Sequence, residues 1–222
     1  MKALLVLAKA PEPGRCKTRL CPPCTPTEAA GLAEAALADT LEIVAATPAV
    51  DRRVLVLDGQ PGPWLPPSFD VLPQRGRGLD ERLANAFVDA AQLVPPGTRA
   101  PWQGILVGMD TPQISAEMLT RAHAALAAPG IDAVLGPALD GGWWAIGLRR
   151  PDPSVFLGVP MSTPGTGRAQ RRRLWSLGLS VAGLPAQRDV DRFADALAVA
   201  AEIPHSRFAR AVAGLMLDGV AS

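Results

Sequence analysis

The hydrophobic pattern of this chain alternates between short apolar runs and longer segments with helical spacing. A continuous apolar run is typical of a strand that is buried on both faces, so the alternation predicts a largely parallel α/β sheet. The predicted strands are Ala3–Leu7, Arg53–Leu57, Phe69–Leu72, Gly104–Met109, Ala133–Leu135 and Leu179–Leu184, with a further apolar stretch that ends at Leu148.

The helical segments lie between these strands, and the first has the clearest start signal. Thr25 is a good N-cap, Pro26 suits the first turn and Glu28 completes a capping box, which predicts a helix to about Ala46. The other helical patterns run from Leu79 to Val94, from Ser115 to about Ala128, around Gln170–Leu177, and over most of Asp191 to Val220.

Length and composition fit one α/β domain, since the chain has 222 residues, of which 48% are hydrophobic. The formal net charge of +1 gives no reason to expect nucleic acid or an acidic membrane as a partner. No apolar run reaches the ~18 residues of a membrane span, and the run after Lys2 is too short for a signal peptide. We therefore expect a cytoplasmic protein.

Three cysteines, Cys16, Cys21 and Cys24, lie within nine positions. An odd number in an otherwise cysteine-free chain argues against a secreted disulfide framework. A Cys-x-x-Cys pair can be redox-active or form half of a zinc site, but no second pair accompanies it here. A redox or zinc function is therefore a disfavoured alternative.

Residues with chemical potential follow several predicted strands at the point where each strand ends. Lys9–Arg19 follows the first strand, Asp110 follows the fourth and Asp140 follows the fifth. Parallel α/β sheets bind their ligands outside the carboxyl ends of the strands. The sequence thus predicts an active site at this edge.

The loop after the first strand carries four cations, Lys9, Arg15, Lys17 and Arg19, among prolines and a glycine. A stiff basic loop beside the start of a helix suits a polyphosphate. The spacing of a P-loop is absent, and no Gly-x-Gly-x-x-Gly follows the strand. The alternative is a solvated charged loop without a ligand.

Aspartates near the predicted strand ends could hold a hard cation. Asp110 ends a buried strand and is fixed by a turn at Pro112, and Asp189 and Asp191 share one face of an extended segment. Together they could form a Mg²⁺ site. The alternatives are an Asx turn or helix entry at Asp110 and helix capping by Asp191.

The segment Asp140–Trp144 combines two glycines with two adjacent tryptophans in a chain with only 5% aromatic residues. The glycines let the backbone approach a ligand closely. We expect one tryptophan to pack inward and the other to stack on a sugar or base; the alternative is a hairpin turn with one buried tryptophan. Arg171–Arg173 could contact an anionic acceptor, but an exposed helix face is the favoured interpretation.

Taken together, these motifs resemble the bacterial DUF2064 family. Its members are regarded as GT-A-type glycosyltransferases, are linked in some genomes to arsenosugar biosynthesis, and are related to the deazaflavin-coenzyme guanylyltransferase and the molybdenum-cofactor nucleotidyltransferases. The matching segments run in family order over nearly the whole chain. They are Lys9–Leu20, Gly78–Leu83, Gly108–Pro112, Leu135–Trp144 with Gly147 and Leu148, and Asp189–Asp191 with Asp195.

The resemblance implies a three-layer α/β/α Rossmann-like GT-A (nucleotide-diphospho-sugar transferase) fold, with a mainly parallel mixed sheet, in a single domain spanning residues 1–222. It implies Mg²⁺ or Mn²⁺ as the cofactor, with Asp110 as the principal metal ligand and Asp191 as the second. The implied catalytic residues are Lys17, Arg19 and Asp110. This chain departs from the family pattern at Met109, beside the metal aspartate, and at the tryptophan pair.

The resemblance also divides the predicted site into two binding regions. The residues implied to bind the nucleotide and its phosphates are Lys9, Pro11, Gly14, Arg15, Lys17, Arg19, Gln74, Gly78 and Arg82. Those implied to face the acceptor are Asp140, Gly141, Gly142, Trp143 and Trp144.

The leading function implied by the family is glycosyl transfer from a nucleotide-diphospho-sugar to a small acceptor. The basic loop instead favours nucleotidyl transfer from a nucleoside triphosphate to a phosphorylated small molecule, with release of pyrophosphate, because a triphosphate brings more charge. A non-catalytic nucleotide-sugar-binding protein is the third hypothesis. In each case the partners are small molecules and neither nucleic acid nor membrane, while monomer and homodimer both remain open.

Overall fold

The computed structural model describes residues 1–95, 97, 101–217 and 219. Seven strands in these ranges form one sheet, and the order across it is third, second, first, fourth, sixth, fifth and seventh. The strands are β1 (Lys2–Lys9), β2 (Arg52–Asp58), β3 (Asp70–Pro73), β4 (Gln103–Gly108), β5 (Ala133–Pro137), β6 (Trp143–Leu148) and β7 (Val181–Gly183).

The sheet is mixed because one strand runs against the others. β6 pairs antiparallel with both β4 and β5, whereas all other neighbours in the sheet are parallel. β4 and β5 therefore run in the same direction, and the carboxyl ends of β1, β2, β4 and β5 lie at one edge. The amino end of β6, at Trp143, lies at that same edge.

Helices cover both faces of the sheet, as a three-layer arrangement requires. They are α1 (Pro26–Ala46), α2 (Leu79–Gln92), α3 (Ala116–Ala127), α4 (Thr166–Ser176), α5 (Phe193–Glu202) and α6 (Arg207–Leu217), with short 3-10 helices at Thr18–Leu20 and Pro153–Val155. Val220, included in the last predicted helical segment, lies outside the described residues. No helix in the described part of the chain is long and apolar enough to cross a membrane.

The two faces of β1 show how the sequence sorts these layers. Leu4 and Val6 pack into the core that α1 and α3 cover. Ala3 and Leu5 point to the opposite face and pack into the core beneath α2 and α4. Because successive strand residues point to opposite faces, an uninterrupted apolar run is what a doubly covered strand needs.

The predicted start signals of α1 and α3 are confirmed. The Thr25 hydroxyl accepts a bond from the Glu28 amide at 3.3 Å, and the Glu28 carboxylate accepts one from the Thr25 amide at 2.7 Å. At the start of α3, the Ser115 hydroxyl accepts a bond from the Met118 amide at 3.2 Å. Each cap satisfies amides that would otherwise lack a partner in the first helical turn.

Candidate active site

Two adjoining cavities open at the edge of the sheet where the parallel strands end. The first, which we call the basic cavity, has a volume of 530 Å³ and is lined by Leu7, Ala8, Lys9, Arg15, Cys16, Lys17, Thr18, Arg19, Gln74, Arg77, Leu79, Arg82, Met109, Asp110, Ser162 and Asp191. The second, the hairpin cavity, has a volume of 680 Å³ and reaches the turn between β5 and β6. Asp110 and Asp191 line both cavities and therefore mark their border.

Lys17 joins three distant parts of the chain at this border. Its ammonium group lies 2.6 Å from Oδ1 of Asp110 and also donates a hydrogen bond to the carbonyl of Val190. The side chain is only 11% exposed. Its backbone has φ of 50°, a left-handed conformation that is uncommon for a residue other than glycine and that clusters at functional sites.

Arg19 forms the second link between the basic loop and the acidic residues. Its guanidinium lies 3.0 Å from Oδ2 of Asp191, and its side chain is 66% exposed. An ion pair this exposed contributes little to stability, so the arginine is free to exchange its partner for a ligand. Arg15 is similarly exposed and pairs with Glu12 at 2.7 Å.

Three of the residues predicted to bind the nucleotide shape the site without lining it. Pro11, Gly14 and Gly78 are not among the residues that surround the basic cavity. Gly14 has φ of +74° and supplies a turn in the loop, and Gly78 is the N-cap residue of α2. We infer that their contribution is to the path of the backbone.

Gln74 and Arg82 line the basic cavity where β1, β2 and β3 end. The Gln74 amide donates to the carbonyl of Ala8 at 2.7 Å and to that of Val56 at 3.2 Å, which holds the neighbouring strand ends together. Arg82 donates to the Gln74 side-chain oxygen at 3.2 Å and pairs with Asp58 at 2.8 Å. Gln74 and Asp58 therefore together fix the position of the Arg82 guanidinium.

Carboxylates converge on the hairpin side of the border. Asp189 accepts a hydrogen bond from the Thr111 hydroxyl at 2.8 Å, and the amide of Val190 donates to the backbone carbonyl of Asp110 at 2.8 Å. Burial raises the pKa of Asp189 to about 6, and the nearby charges of Asp110 and Asp140 act in the same direction. The site thus concentrates negative charge opposite the basic loop.

Neither Asp110 nor Asp191 begins a helix. The N-cap residue of α5 is Arg192, whose amide donates to Asp195 at 2.9 Å, so Asp191 does not cap the helix. Asp110 does not start α3, which is capped by Ser115, and its carboxylate instead faces the Lys17 ammonium.

The carboxylate oxygens at the border between the cavities suit a hard cation, although only two carboxylates lie there. Carboxylate oxygens are the ligands that Mg²⁺ and Mn²⁺ prefer, and Asp110 and Asp191 present them to both cavities. Within the described ranges, no three or more histidine, cysteine, aspartate and glutamate side chains are grouped to hold a metal. A bound cation would therefore need further ligands besides these two carboxylates.

The two tryptophans of the β5–β6 turn have different environments, as expected. Trp144 is 2% exposed, and its indole N–H donates to the carbonyl of Pro185 at 2.9 Å. Trp143 is half-buried and lines the hairpin cavity. The segment is also a hairpin turn, so that alternative correctly describes the backbone; stacking of Trp143 on a ligand remains a prediction.

The turn of this hairpin is fastened to the start of α4. Gly141, with φ of +92°, accepts a hydrogen bond from the Gly167 amide at 2.8 Å. A Cβ atom at Gly141 would lie 2.1 Å from the carbonyl oxygen of Pro164. Glycine is therefore required here for close packing between backbones, and Gly141 does not line the hairpin cavity.

Sequence reasoning missed the segment that precedes α4. Ser162, Thr163 and Thr166 line the hairpin cavity, and Ser162 has φ of 56°. The helix was expected only around Gln170, because Pro164 and the glycines around it indicate a turn. Arg77 belongs to the Gly76–Arg82 segment, which the resemblance implies to lie near the base and ribose, and it lines the basic cavity. Asp58, which pairs with Arg82, was also missed, although it ends a buried strand, the signal that identified Asp110.

The remaining candidates lie outside both cavities, apart from Cys16. Arg173 donates to the carbonyls of Ser154 and Leu157, so it supports the loop before α4. The cysteines are free, and burial raises the pKa of the Cys16 and Cys24 thiols, which disfavours the reactive thiolate.

Solved structures with the same fold include enzymes that handle activated sugars. A protein from Desulfovibrio desulfuricans, provisionally assigned as a nucleotide-diphospho-sugar transferase, is 25% identical with a TM-score of 0.83, and the alignment covers 99% of this chain and 96% of that one. CMP-2-keto-3-deoxy-manno-octonic acid synthetase, solved with CTP, is 11% identical with a TM-score of 0.57 over 91% and 98% of the two chains.

A more distant neighbour is glucosyl-3-phosphoglycerate synthase from Mycobacterium tuberculosis, solved with Mn²⁺, UDP and glucosyl-3-phosphoglycerate. It is 11% identical with a TM-score of 0.51, over 85% of this chain and 70% of that one. Together these structures confirm the predicted GT-A-like fold. The predicted transferase superfamily is supported by the Desulfovibrio protein, at 25% identity over nearly the whole of both chains.

The family comparison covers the middle of the chain. No curated protein matches the chain. The sequence profile of DUF2064, described as an uncharacterized protein conserved in bacteria, matches residues 32–163. That range includes Gln74, Asp110 and the β5–β6 turn, while the basic loop and Asp191 lie outside it. Because the match spans more than half of the residues, the chain belongs to the DUF2064 family.

Proposed function

We propose that this protein transfers a sugar from a nucleotide-diphospho-sugar to a small acceptor, with Mg²⁺ or Mn²⁺ at Asp110 and Asp191. The observation that carries the proposal is the border between a basic and an acidic cavity, with both aspartates on it. A sugar attached to a diphosphate at this border would have its leaving group on the basic side. Its reacting carbon would face the hairpin side.

The basic cavity supplies the charge that a diphosphate needs. Six basic and two acidic residues line it, a formal excess of four positive charges. Of these, Lys17 is the most firmly held, because two oxygen partners fix its ammonium group and the side chain is largely buried. Cations held before the reaction stabilise developing negative charge without having to reorganise.

The metal would add to this stabilisation at the same place. When bound, it would supply a Lewis acid that lowers the energy of the departing nucleoside diphosphate. Asp110 and Asp191 would hold it, and Arg19, whose pair with Asp191 is exposed, would turn from that carboxylate toward the phosphates. Lys17 would keep its position beside Asp110 and Val190 and meet the phosphates there.

Nucleotidyl transfer is the second candidate, and a specific observation favours it. An excess of four positive charges would suit a triphosphate as well as a diphosphate. In that reaction a phosphorylated acceptor attacks the α-phosphate and pyrophosphate leaves. Sugar transfer is preferred because four acidic and only two basic residues line the hairpin cavity, where the acceptor would bind. Carboxylates accept hydrogen bonds from hydroxyl groups but repel a second phosphate.

The test is a product assay on the purified protein with Mg²⁺ or Mn²⁺. Nucleotide sugars and nucleoside triphosphates are supplied with a mixture of small hydroxyl compounds and sugar phosphates, and released nucleoside diphosphate and pyrophosphate are measured separately. We expect nucleoside diphosphate from a nucleotide sugar. Pyrophosphate release would instead establish nucleotidyl transfer, and tight nucleotide binding without either product would establish the non-catalytic hypothesis.

The Asp110→Asn variant is the control for this assay. A residual signal that is equal in wild type and variant would come from a contaminating phosphatase or pyrophosphatase. The absence of both nucleotide binding and turnover in wild type would overturn the proposal.

A further inference from the structure

We propose that the acceptor is an uncharged hydroxyl compound with an apolar portion, and that the hairpin cavity discriminates against phosphorylated acceptors. This inference rests on the proposed sugar transfer and assigns the acceptor class. It follows from three independent features of the hairpin cavity. These are its net acidic charge, the hydrogen bonds that already occupy backbone amides near the start of α4, and the apolar side chains in its lining.

The charge of the hairpin cavity is opposite to that of the basic cavity. Four acidic residues, Asp110, Asp140, Asp189 and Asp191, line it, but only two basic ones, Arg19 and Arg192. Arg19 already pairs with Asp191. Even a divalent cation at the border would only neutralise the acidic excess, so a phosphorylated acceptor would enter without a compensating positive charge.

The start of α4 would be the other natural place for a phosphate, since the amides of a first helical turn commonly bind anions. Here the first two amides of the helix and two amides of the turn before it already have partners. Thr163 and Gly165 donate to the hydroxyls of Thr166 and Thr163 at 3.0 and 3.2 Å. Thr166 and Gly167 donate to the carbonyls of Thr163 and Gly141 at 3.0 and 2.8 Å. A phosphate would have to break these bonds before it could replace them.

Part of the lining of the hairpin cavity is apolar, and we call this part the apolar wall. It is formed by Leu79, Leu83, Leu106, Met161 and Trp143. Such a wall can cover the apolar face of a sugar ring or an aglycone, while the carboxylates of the same cavity accept hydrogen bonds from hydroxyl groups. Trp143 is the more exposed of the two tryptophans that line the cavity, and it directly follows the turn that is fastened to α4.

The experiment uses one matched pair of acceptors, phenyl β-glucoside and its 6-phosphate. For each we would measure kcat/KM with the nucleotide sugar that the protein turns over, and the Kd by calorimetry in the presence of the nucleoside diphosphate and Mg²⁺. We expect the uncharged compound to be preferred at least tenfold in both measurements. The preference should shrink at high salt, because charge causes part of it.

Two variants separate the charge from the apolar wall. Asp140→Asn keeps the side-chain oxygen that accepts from the Gly142 amide at 2.8 Å, so the turn should survive while one negative charge is lost. We expect it to reduce the preference about threefold. Trp143→Ala should lower kcat/KM for the uncharged compound about tenfold, with the KM of the donor unchanged.

Glu117→Gln is the matched control, since it removes an exposed carboxylate on α3, where Glu117 pairs with Arg121. It should leave the preference unchanged. A preference for the phosphorylated compound, or donor turnover that neither compound alters, would overturn the inference and leave sugar transfer intact. Failure of the proposed function is distinguishable, because then no donor releases nucleoside diphosphate, while calorimetry still compares the two compounds.

Discussion

The basic and hairpin cavities share a border but are built in different ways. The basic cavity presents long, charged side chains, several of which are held only by exposed ion pairs such as those of Arg15 and Arg19. The hairpin cavity includes backbone segments whose amides already donate to threonine hydroxyls and backbone carbonyls. The first is therefore suited to recognition by positive charge, and the second to recognition by shape together with its acidic charge. The two should respond differently to salt and to mutation.

Removal of the Asp110 carboxylate should have the largest effect on activity, because Asp110 lines both cavities. We expect Asp110→Asn to lower kcat/KM by about a thousandfold or more, since a metal-stabilised transition state is worth several kcal/mol. The change also leaves the Lys17 ammonium without its carboxylate partner. The measurement is steady-state kinetics over a Mg²⁺ titration, with thermal melting to confirm the fold.

Glu117→Gln is again the control, as an exposed carboxylate outside both cavities. Near-full activity of Asp110→Asn at saturating Mg²⁺ would show that Asp110 is not a metal ligand. The border would then have no special role.

Lys17→Ala should affect mainly the basic cavity, because Lys17 lines that cavity and not the hairpin cavity. Charge-assisted contacts contribute roughly 1.5–3 kcal/mol each, so nucleotide affinity should fall about ten- to a hundredfold. The loss should be larger for a triphosphate than for a monophosphate and should shrink at high salt. Calorimetric titration with mono-, di- and triphosphates at two salt concentrations measures this.

Arg121→Ala is the matched control for Lys17→Ala, since it removes a cation from an exposed pair on α3. Equal affinities for all three nucleotides in wild type and in Lys17→Ala would show that the basic loop is a solvated charged segment that binds no phosphate. An effect on the KM of the acceptor as large as that on nucleotide affinity would contradict the separation of the two cavities.

His123 should make the largest contribution to the loss of folding stability at acid pH. This loss must be separated from the pH dependence of ligand binding in the two cavities. The side chain is 3% exposed, and neither ring nitrogen has a hydrogen-bond partner within the described ranges. Burial lowers its pKa to about 4, Lys2 acts in the same direction, and Asp51 opposes them. Stability is therefore complete above the ordinary pKa of 6.5 and is lost as the pH falls toward 4.

By about pH 5 the loss should reach roughly 2 kcal/mol of the free energy of unfolding. His123→Leu removes the titrating group, so its urea midpoint should change less than that of wild type between neutral pH and about pH 5. Parallel curves for the two proteins would contradict this assignment. Because His123 lines neither cavity, the variant also allows ligand binding to the two cavities to be measured at lower pH.

The smallest effect is expected from the cysteine pair, which lies outside both cavities. Replacement of Cys21 and Cys24 together by serine should change activity little and the melting temperature by a few degrees at most, since no cross-link is lost. The checks are thermal melting, nucleotide titration and elemental analysis. Stoichiometric zinc that disappears with the replacement would show that the cysteines bind metal.

The sequence predicted those parts of the molecule that are determined locally. The Thr25 cap, the apolar strands and the placement of Asp110 at a strand end all depend on neighbouring residues. The pairing of Lys17 with Asp110 could not be predicted from spacing, since the two lie on loops after different strands. The Ser162–Thr166 segment was missed because its turn residues conceal the early start of α4.

The contact between Lys17 and Val190 also affects the order in which the site forms during synthesis. The two residues are 173 positions apart, so a growing chain presents the basic loop long before the segment that fixes its lysine. Domains fold as units once their partners are available, and contacts this distant in sequence are slow to close. A nascent chain should acquire nucleotide affinity only after residue 190 has left the ribosome. Partly made chains would then not compete for the donor.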